Sequence, residues 1–321
     1  MEKEGGALEN MERLKIAITG ASGFVGANLV RYLDPKHEVF ALTRNANAWR
    51  LSTQFNLINL DIRRREILLE VINKLKPDVL IHCATYGGYN FEKETREIIE
   101  TDIIGSLNVL DTCREIPIVI NVGSSSEYGI KDRPMKEDDL TAPITPYAMS
   151  KALQTELFSS TRRSITLRLF SVYGYYEEKH RLIPYIIYSS LKNQKAVLSN
   201  EKSMRDFVFI EDVMKAFSLA IQKYEDINKG AIFNVGSGVQ NSVRDVVDEM
   251  GVDVEWNSSA RPKEPEHTWK ADISKIKDEL NWKPQYSLSD GLRKTKEWME
   301  RNIMLYEVEK NDKFARSVRY S

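Results

Sequence analysis

Leu14-Lys-Ile-Ala-Ile-Thr19, followed at once by Gly20-Ala-Ser-Gly23-Phe-Val-Gly26, is the stretch on which the fold turns. Its first six residues are an apolar, isoleucine-rich run of strand length. Glycines then recur at positions 20, 23 and 26, and FVGANLVRYL (Phe24 to Leu33) carries apolar residues at helical spacing until Pro35. Glycine lets the backbone turn tightly, approach a pyrophosphate closely and pack the helix against the strand. The helix N-terminus then presents free N–H groups to phosphate oxygens. Strand, glycine turn and helix in this order predict a dinucleotide site formed by Gly20, Ser22, Gly23, Phe24, Val25 and Gly26.

Outward from this stretch the same alternation repeats. HEVFALT (His37 to Thr43) reads as the next strand, and after a polar, arginine-rich segment REILLEVINKLK reads as an amphipathic helix. PDVLIHCA is a third buried strand, Glu94 to Arg114 a long helix, and IPIVINV (Ile116 to Val122) the strand after it. A helix opens near Pro146 and runs towards Arg162, and ITLRLF returns as a strand. Strands apolar throughout, alternating with helices, predict an α/β fold: a doubly wound, Rossmann-type parallel sheet covered on both faces. After Phe170 the rhythm loosens into Tyr- and Pro-rich loops and a smaller C-terminal α+β lobe. The expected division is a leader at 1–10, a nucleotide-binding domain at 11–170, a substrate-binding lobe at 171–301 interleaved with the sheet, and a charged tail at 302–321.

With 321 residues, 42% hydrophobic and 29% charged, the chain is long enough for about two domains and lies near globular averages. A formal net charge of −1 creates no field for nucleic acid or an anionic membrane, so neither is an expected partner. Cys83 and Cys113 lack CxxC spacing and the four histidines lack metal-ligand spacing, so no disulfide framework and no metal are expected. No window reaches the roughly 18 uncharged apolar residues of a spanning helix, and the N-terminus has no apolar signal region, so a cytoplasmic protein is expected.

The end of the second strand bears on which dinucleotide binds. An NAD site places an acid there for the ribose hydroxyls, whereas this chain offers Thr43-Arg44-Asn45 and no acid before Asp61. A guanidinium can pair with a 2′-phosphate, so NADP(H) is preferred and NAD is the alternative. Asp61 and Ile62, after the following strand, are placed near the adenine. Cys83, Ala84 and Thr85, at the end of PDVLIHCA, line the cofactor.

YxxxK occurs six times, so context must choose. Tyr147-Ala-Met-Ser-Lys151 lies on a helix entered through Pro146, where i,i+4 spacing puts phenol and ammonium on one face. Upstream, Ser124-Ser125-Ser126-Glu127-Tyr128-Gly129 ends a strand at the carboxyl edge of the sheet, where open α/β folds bind ligands. A nearby ammonium favours the phenolate, so Lys151 is expected to lower the Tyr147 pKa and make it a general acid or base near neutrality. A serine hydroxyl, Ser124 or Ser125, would hold the substrate oxygen.

With TGASGFVG, PDVLIHCAT, SSSEYG, PYAMSK, LRLFSVYG, MRDFVFIEDV, FNVGSG and ADISKIKDELNWKP in this order, the chain resembles the extended short-chain dehydrogenase/reductases of the nucleotide-sugar epimerase/dehydratase group. The resemblance implies a nicotinamide cofactor and a nucleoside-diphosphate sugar, with Lys151 also binding the nicotinamide ribose. It implies that Arg205, with Arg261 as a second candidate, holds the diphosphate; Ser124, Ser126, Tyr173 and Arg181 are further substrate candidates. Dimers pairing through helices such as Glu94 to Arg114 and Pro146 to Arg162 are common in this group, so a homodimer is expected. The chain departs from the group at Ser125 and Ser126, where dehydratases carry Asp-Glu, and at Asp102 and Ser171, where asparagine is common. Dehydration is therefore disfavoured. ALTRN, HCATYGG and RLIPYII are similar to the 4-keto-6-deoxyhexose reductases, which implies NADPH-dependent reduction at C4. The alternatives are an NAD-dependent 4-epimerase and, more remotely, a non-catalytic NADP(H)-sensing protein.

Overall fold

A computed structural model describes residues 13–44, 49–88, 92, 94–161, 164–257 and 268–307. The first half runs β1 (Lys15–Thr19), α1 (Phe24–Leu33), β2 (Glu38–Thr43), β3 (Asn56–Asn59), α2 (Arg65–Leu75) and β4 (Val79–His82). Next come α3 (Thr95–Ile98), a π-helical turn (Ile99–Ile104) and α4 (Gly105–Thr112), one continuous helical ride where the sequence reads a single helix. β5 (Ile118–Ser124), a 3₁₀ turn (Ser125–Tyr128), α5 (Pro146–Ser160) and β6 (Ser164–Leu169) complete it.

The later elements are β7 (Ser171–Tyr173), α6 (Leu182–Leu191), β8 (Ala196–Leu198), β9 (Met204–Arg205), β10 (Phe207–Phe209) and α7 (Ile210–Gln222). They are followed by β11 (Ile232–Val235), β12 (Asn241–Ser242), α8 (Val243–Met250), β13 (Val254–Trp256), α9 (Ser274–Leu280) and α10 (Leu288–Arg301).

Seven parallel strands form the central sheet in the order β11-β6-β5-β4-β1-β2-β3. Successive side chains of a strand face opposite sides, and the core divides accordingly. Ile16 and Ile18 of β1 join one apolar cluster with Val30, Val213, Phe233 and Trp282, while Ala17 between them joins a second with Leu42, Leu80, Val109 and Phe158. Both faces are covered, which is why these strands read as continuous apolar runs rather than alternating ones. The order reverses at β1, whose two neighbours are β2 and β4, so a crevice opens above the carboxyl ends of β1 and β4. Among the described residues no helix is long and apolar enough to cross a membrane.

Candidate active site

The glycine turn sits in that crevice. Gly20 has φ +64°, and a Cβ on it would stand 2.5 Å from the Ala84 backbone nitrogen; one on Gly26 would stand 2.4 Å from the Gly20 carbonyl oxygen. Side chains are therefore excluded at both ends of the turn. Gly23 N-caps α1 with no side-chain acceptor, which leaves the first-turn N–H groups to a ligand. A cradle without side chains at a helix N-terminus fits a dinucleotide pyrophosphate.

The surrounding residues are partly as expected. Thr43 is buried and donates to Ser22 Oγ at 2.6 Å, bracing the turn from β2. Arg44 follows it at the exposed strand end. Phe24 and Val25 pack partly buried against the main core. Ala84 N–H reaches Thr19 Oγ1 at 3.4 Å. Burial pushes the Cys83 thiol up to about 12, so Cys83 lines the crevice as an inert thiol.

Asp61, placed near adenine by the sequence, holds the Arg63 guanidinium at 2.7–3.1 Å, and Arg63 also reaches Glu97. The Ile62 side chain is buried in the core cluster of Leu42 and Leu60, where it blocks any side chain at Gly105, so only its backbone is left to meet a cofactor. Thr85 is exposed, and its hydroxyl donates to Asp102 Oδ1 at 3.1 Å. Sequence reasoning missed Arg50. Its guanidinium donates to Ser22 O at 3.3 Å and Tyr176 O at 2.7 Å and pairs with Glu178, clasping the glycine turn to the loop after β7. No local signal marks it, since its partners, two backbone oxygens and the Glu178 carboxylate, lie far away in sequence.

Tyr147 and Lys151 lie in the first turns of α5, whose N-terminus is capped by the Thr145 hydroxyl on Ala148 N–H at 3.1 Å. Of the two serine candidates it is Ser124 whose side chain acts on the phenol, lowering its pKa against burial. Ser125 is buried and accepts from Trp269 Nε1 at 3.2 Å, while Ser126 Oγ lies 2.8 Å from Ser124 Oγ. Glu127 is not a free acid. It accepts from Ser124 N–H at 2.6 Å and pairs with Arg168 at 2.8 Å, with both side chains almost fully buried.

The expected coupling between phenol and ammonium is overturned. Burial, followed by the charge of Asp102, raises the Tyr147 phenol pKa above its ordinary value. The Lys151 Nζ donates to Val122 O at 2.5 Å and to Gln154 Oε1, and burial lowers its own pKa. The third ammonium proton has no partner among the described residues. Below this pair His82 is locked neutral. Nδ1 faces Thr19 Oγ1 at 2.7 Å, Nε2 faces Ser106 Oγ at 3.0 Å, and burial holds the imidazole down to about 3.

On the side of the later elements, Arg181 donates to Gly88 O at 2.9 Å, closing over Tyr147. Arg205 lies 5.4 Å from the Trp269 ring centroid, and its Nη1 donates to Met204 O at 2.6 Å. Asp206 is engaged by Ser237, Gly238 and Ala271, and Glu211 by Tyr175, Tyr286 and Lys294. A cleft of about 1100 Å³, lined by Ile130, Lys131, Met204, Gln240 and Arg244, opens beside β9. Trp269, which joins Ser125 to Arg205, was not legible in the sequence. Tyr173 is a correction: it is buried against Phe207 and Phe209 with its hydroxyl on Leu288 O at 3.2 Å, because β7 turns it into the core. Arg261 lies outside the described residues.

The family described as NAD dependent epimerase/dehydratase matches residues 16–236. A UDP-glucuronate 4-epimerase of Thermodesulfobacterium geofontis is 26% identical over 316 residues, covering 90% of this chain and 97% of that protein. The crystal structure of the UDP-glucuronic acid 4-epimerase from Bacillus cereus, in complex with UDP-glucuronic acid and NAD, has a TM-score of 0.78 and 25% identity, covering 90% of this chain and 100% of that one. The dTDP-glucose 4,6-dehydratase from Bacillus anthracis, in complex with NAD, has a TM-score of 0.81 at 22% identity, covering 92% and 100%.

Proposed function

The chain belongs to the NAD-dependent epimerase/dehydratase family, and from that membership we propose that it is a 4-epimerase of a nucleoside-diphosphate sugar. The observation that carries the reading is Ser124 acting on the Tyr147 phenol, with Lys151 one turn on and the neighbouring Glu127 committed to Arg168. Eliminating water requires a second acid and base, and Glu127 is held by Arg168. The full-length relatives named above include 4-epimerases acting on UDP-sugars, so a UDP-hexose or UDP-uronate is the first substrate to try.

A nicotinamide dinucleotide held at Gly20, Gly23 and Gly26 supplies the hydride acceptor and donor. Ser124 Oγ holds the sugar O4 by a hydrogen bond. Tyr147, in its phenolate form, takes the O4 proton as C4 is oxidised and returns it as C4 is reduced on the other face. The remaining ammonium proton of Lys151 suits a ribose hydroxyl. Arg205 and the cleft beside β9 receive the nucleoside diphosphate, bidentate guanidinium geometry being suited to phosphate oxygens. In this reading residues 11–170 serve the cofactor and 171–301 the substrate.

A second reading, reduction of a nucleotide-bound 4-keto sugar by NADPH, is favoured by Arg44 at the exposed end of β2, where no acid replaces it. The two separate in one experiment, in which the purified protein is denatured and the released nucleotide identified. Tightly held NAD, with interconversion of UDP-hexoses or UDP-uronates without added cofactor, supports epimerisation. Stoichiometric NADPH oxidation by a 4-keto sugar overturns it in favour of reduction, and full activity of Tyr147→Phe overturns both.

We also propose a homodimer. Ile99, Ile104 and Leu107 on the α3–α4 ride, with Met149 and Leu153 on the adjoining α5, are large apolar side chains left exposed. Such a grouping is what a partner surface buries.

A further inference from the structure

A turn that faces a pyrophosphate has to aim its N–H groups at the anion and its carbonyl oxygens away from it. Two carbonyls of the glycine turn are held away by the turn itself: Gly20 O accepts from Gly23 N–H and Gly23 O from Ala27 N–H, each at 2.9 Å. Ser22 O lies between them and is held differently. Its donor is Arg50 Nη1 at 3.3 Å, from beyond the end of β2. Arg50 is 6% exposed, and every part of it is fixed. Its own carbonyl oxygen accepts from Arg31 Nη2 of α1 at 2.5 Å, its Nε donates to Tyr176 O at 2.7 Å, and its guanidinium pairs with Glu178 and stands 4.4 Å from the Trp49 ring centroid.

Tyr176 makes its contact from a left-handed conformation, φ +65°, which a bulky side chain adopts only where its surroundings impose it. Here the ring is held 4.5 Å from that of Trp298 and 4.4 Å from the Arg31 guanidinium. Strain of this kind gathers at ligand clamps.

We propose that Arg50 is a positioning residue of the dinucleotide site: by drawing Ser22 O towards the loop after β7, it keeps that carbonyl out of the path of the pyrophosphate and leaves the N–H groups of the turn to the phosphate oxygens. A guanidinium suits the task because its rigid fork reaches two carbonyl oxygens and a carboxylate at once, which a single ammonium does not. Its charge is met by Glu178, so Arg50 acts through Ser22 and without touching the phosphates. The inference rests on the nicotinamide dinucleotide of the proposed function and not on the reaction that follows.

Arg50→Gln combined with Glu178→Gln removes the clasp without leaving a buried charge unpaired. Isothermal titration of the full chain should show the double variant about tenfold weaker than wild type for NAD or NADPH, whichever the wild type takes, and for ADP-ribose, which keeps the pyrophosphate. Adenosine, which has no phosphate, should bind both chains alike in ligand-observed NMR. Glu178→Gln alone keeps the Ser22 and Tyr176 contacts and should lose nothing. Unchanged ADP-ribose affinity in the double variant overturns the inference, as does an equal loss for adenosine, which would mark a general loosening, or an equal loss in Glu178→Gln, which would place the effect in the ion pair. Should the double variant fail to fold, Arg50→Lys carries the same comparison, since it keeps a charge for Glu178 but cannot span both carbonyls. Loss of ADP-ribose affinity in a protein that epimerises no UDP-sugar would sink the proposed reaction and leave the role of Arg50 standing.

Discussion

Helical spacing alone did not set the acidity of Tyr147: burial and Asp102 raise its pKa, although Lys151 stands one turn on. Spacing on a helix fixes where Cα atoms stand, while the direction of a four-carbon lysine stem is decided by whichever acceptors burial leaves nearby, here Val122 O and Gln154. The sequence therefore exposed the pair but not its electrostatics. Likewise three consecutive serines could not be ranked until the end of β5 turned Ser124 to the phenol and Ser125 to Trp269. Tyr147→Phe is expected to lower kcat about 10²- to 10⁴-fold with little change in KM, read by steady-state kinetics, since it removes only the proton carrier. Glu127→Gln should destabilise the fold by about 3–5 kcal/mol in urea unfolding, because Arg168 is left buried without its counter-charge. His82 titrates lower in the folded chain, at about 3, than the roughly 6.5 of an unfolded histidine. The unfolded chain thus binds the proton first, and stability present above about 6.5 is lost as pH falls towards 3. His82→Gln should blunt this acid sensitivity in melting curves recorded across that range.

Among elements, the ones legible in advance were those with a strong period and clear punctuation. The helix expected from FVGANLVRYL is found over Phe24–Leu33, set off by glycine at one end and Pro35 at the other. β3 had no such signature: Asn-Leu-Ile-Asn is short, half polar and at the sheet edge, paired only with β2. The π-helical turn at Ile99–Ile104 was invisible for a different reason, since one widened turn leaves an apolar pattern almost intact. Gly20→Ala tests the turn that joins β1 to α1. A side chain there adopts φ +64° and collides with the Ala84 backbone. Strain of at least about 1–2 kcal/mol should weaken dinucleotide affinity tenfold or more, measured by isothermal titration with NAD and NADPH.

For the molecule as a whole, assembly and completion of the sheet matter most. Replacing Ile104 or Leu153 with arginine puts charge into the exposed apolar grouping, and light scattering should report monomers in place of the proposed homodimer; an unchanged mass would refute that surface as the interface. The fold class was readable because a strand followed by a helix recurs four times before the strand that ends at Leu169, yet the last strand of the sheet was not, since β11 returns from far downstream to lie beside β6. That return has a consequence during translation. Until the ribosome has released Ile232–Val235, the nascent chain holds a sheet whose β6 edge displays bare amides and carbonyls, a template for pairing with other chains. A stop codon shortly after Leu169 should accordingly yield inclusion bodies rather than a free nucleotide-binding fragment, and a slow stretch of codons in the same interval would prolong the cell's dependence on chaperones.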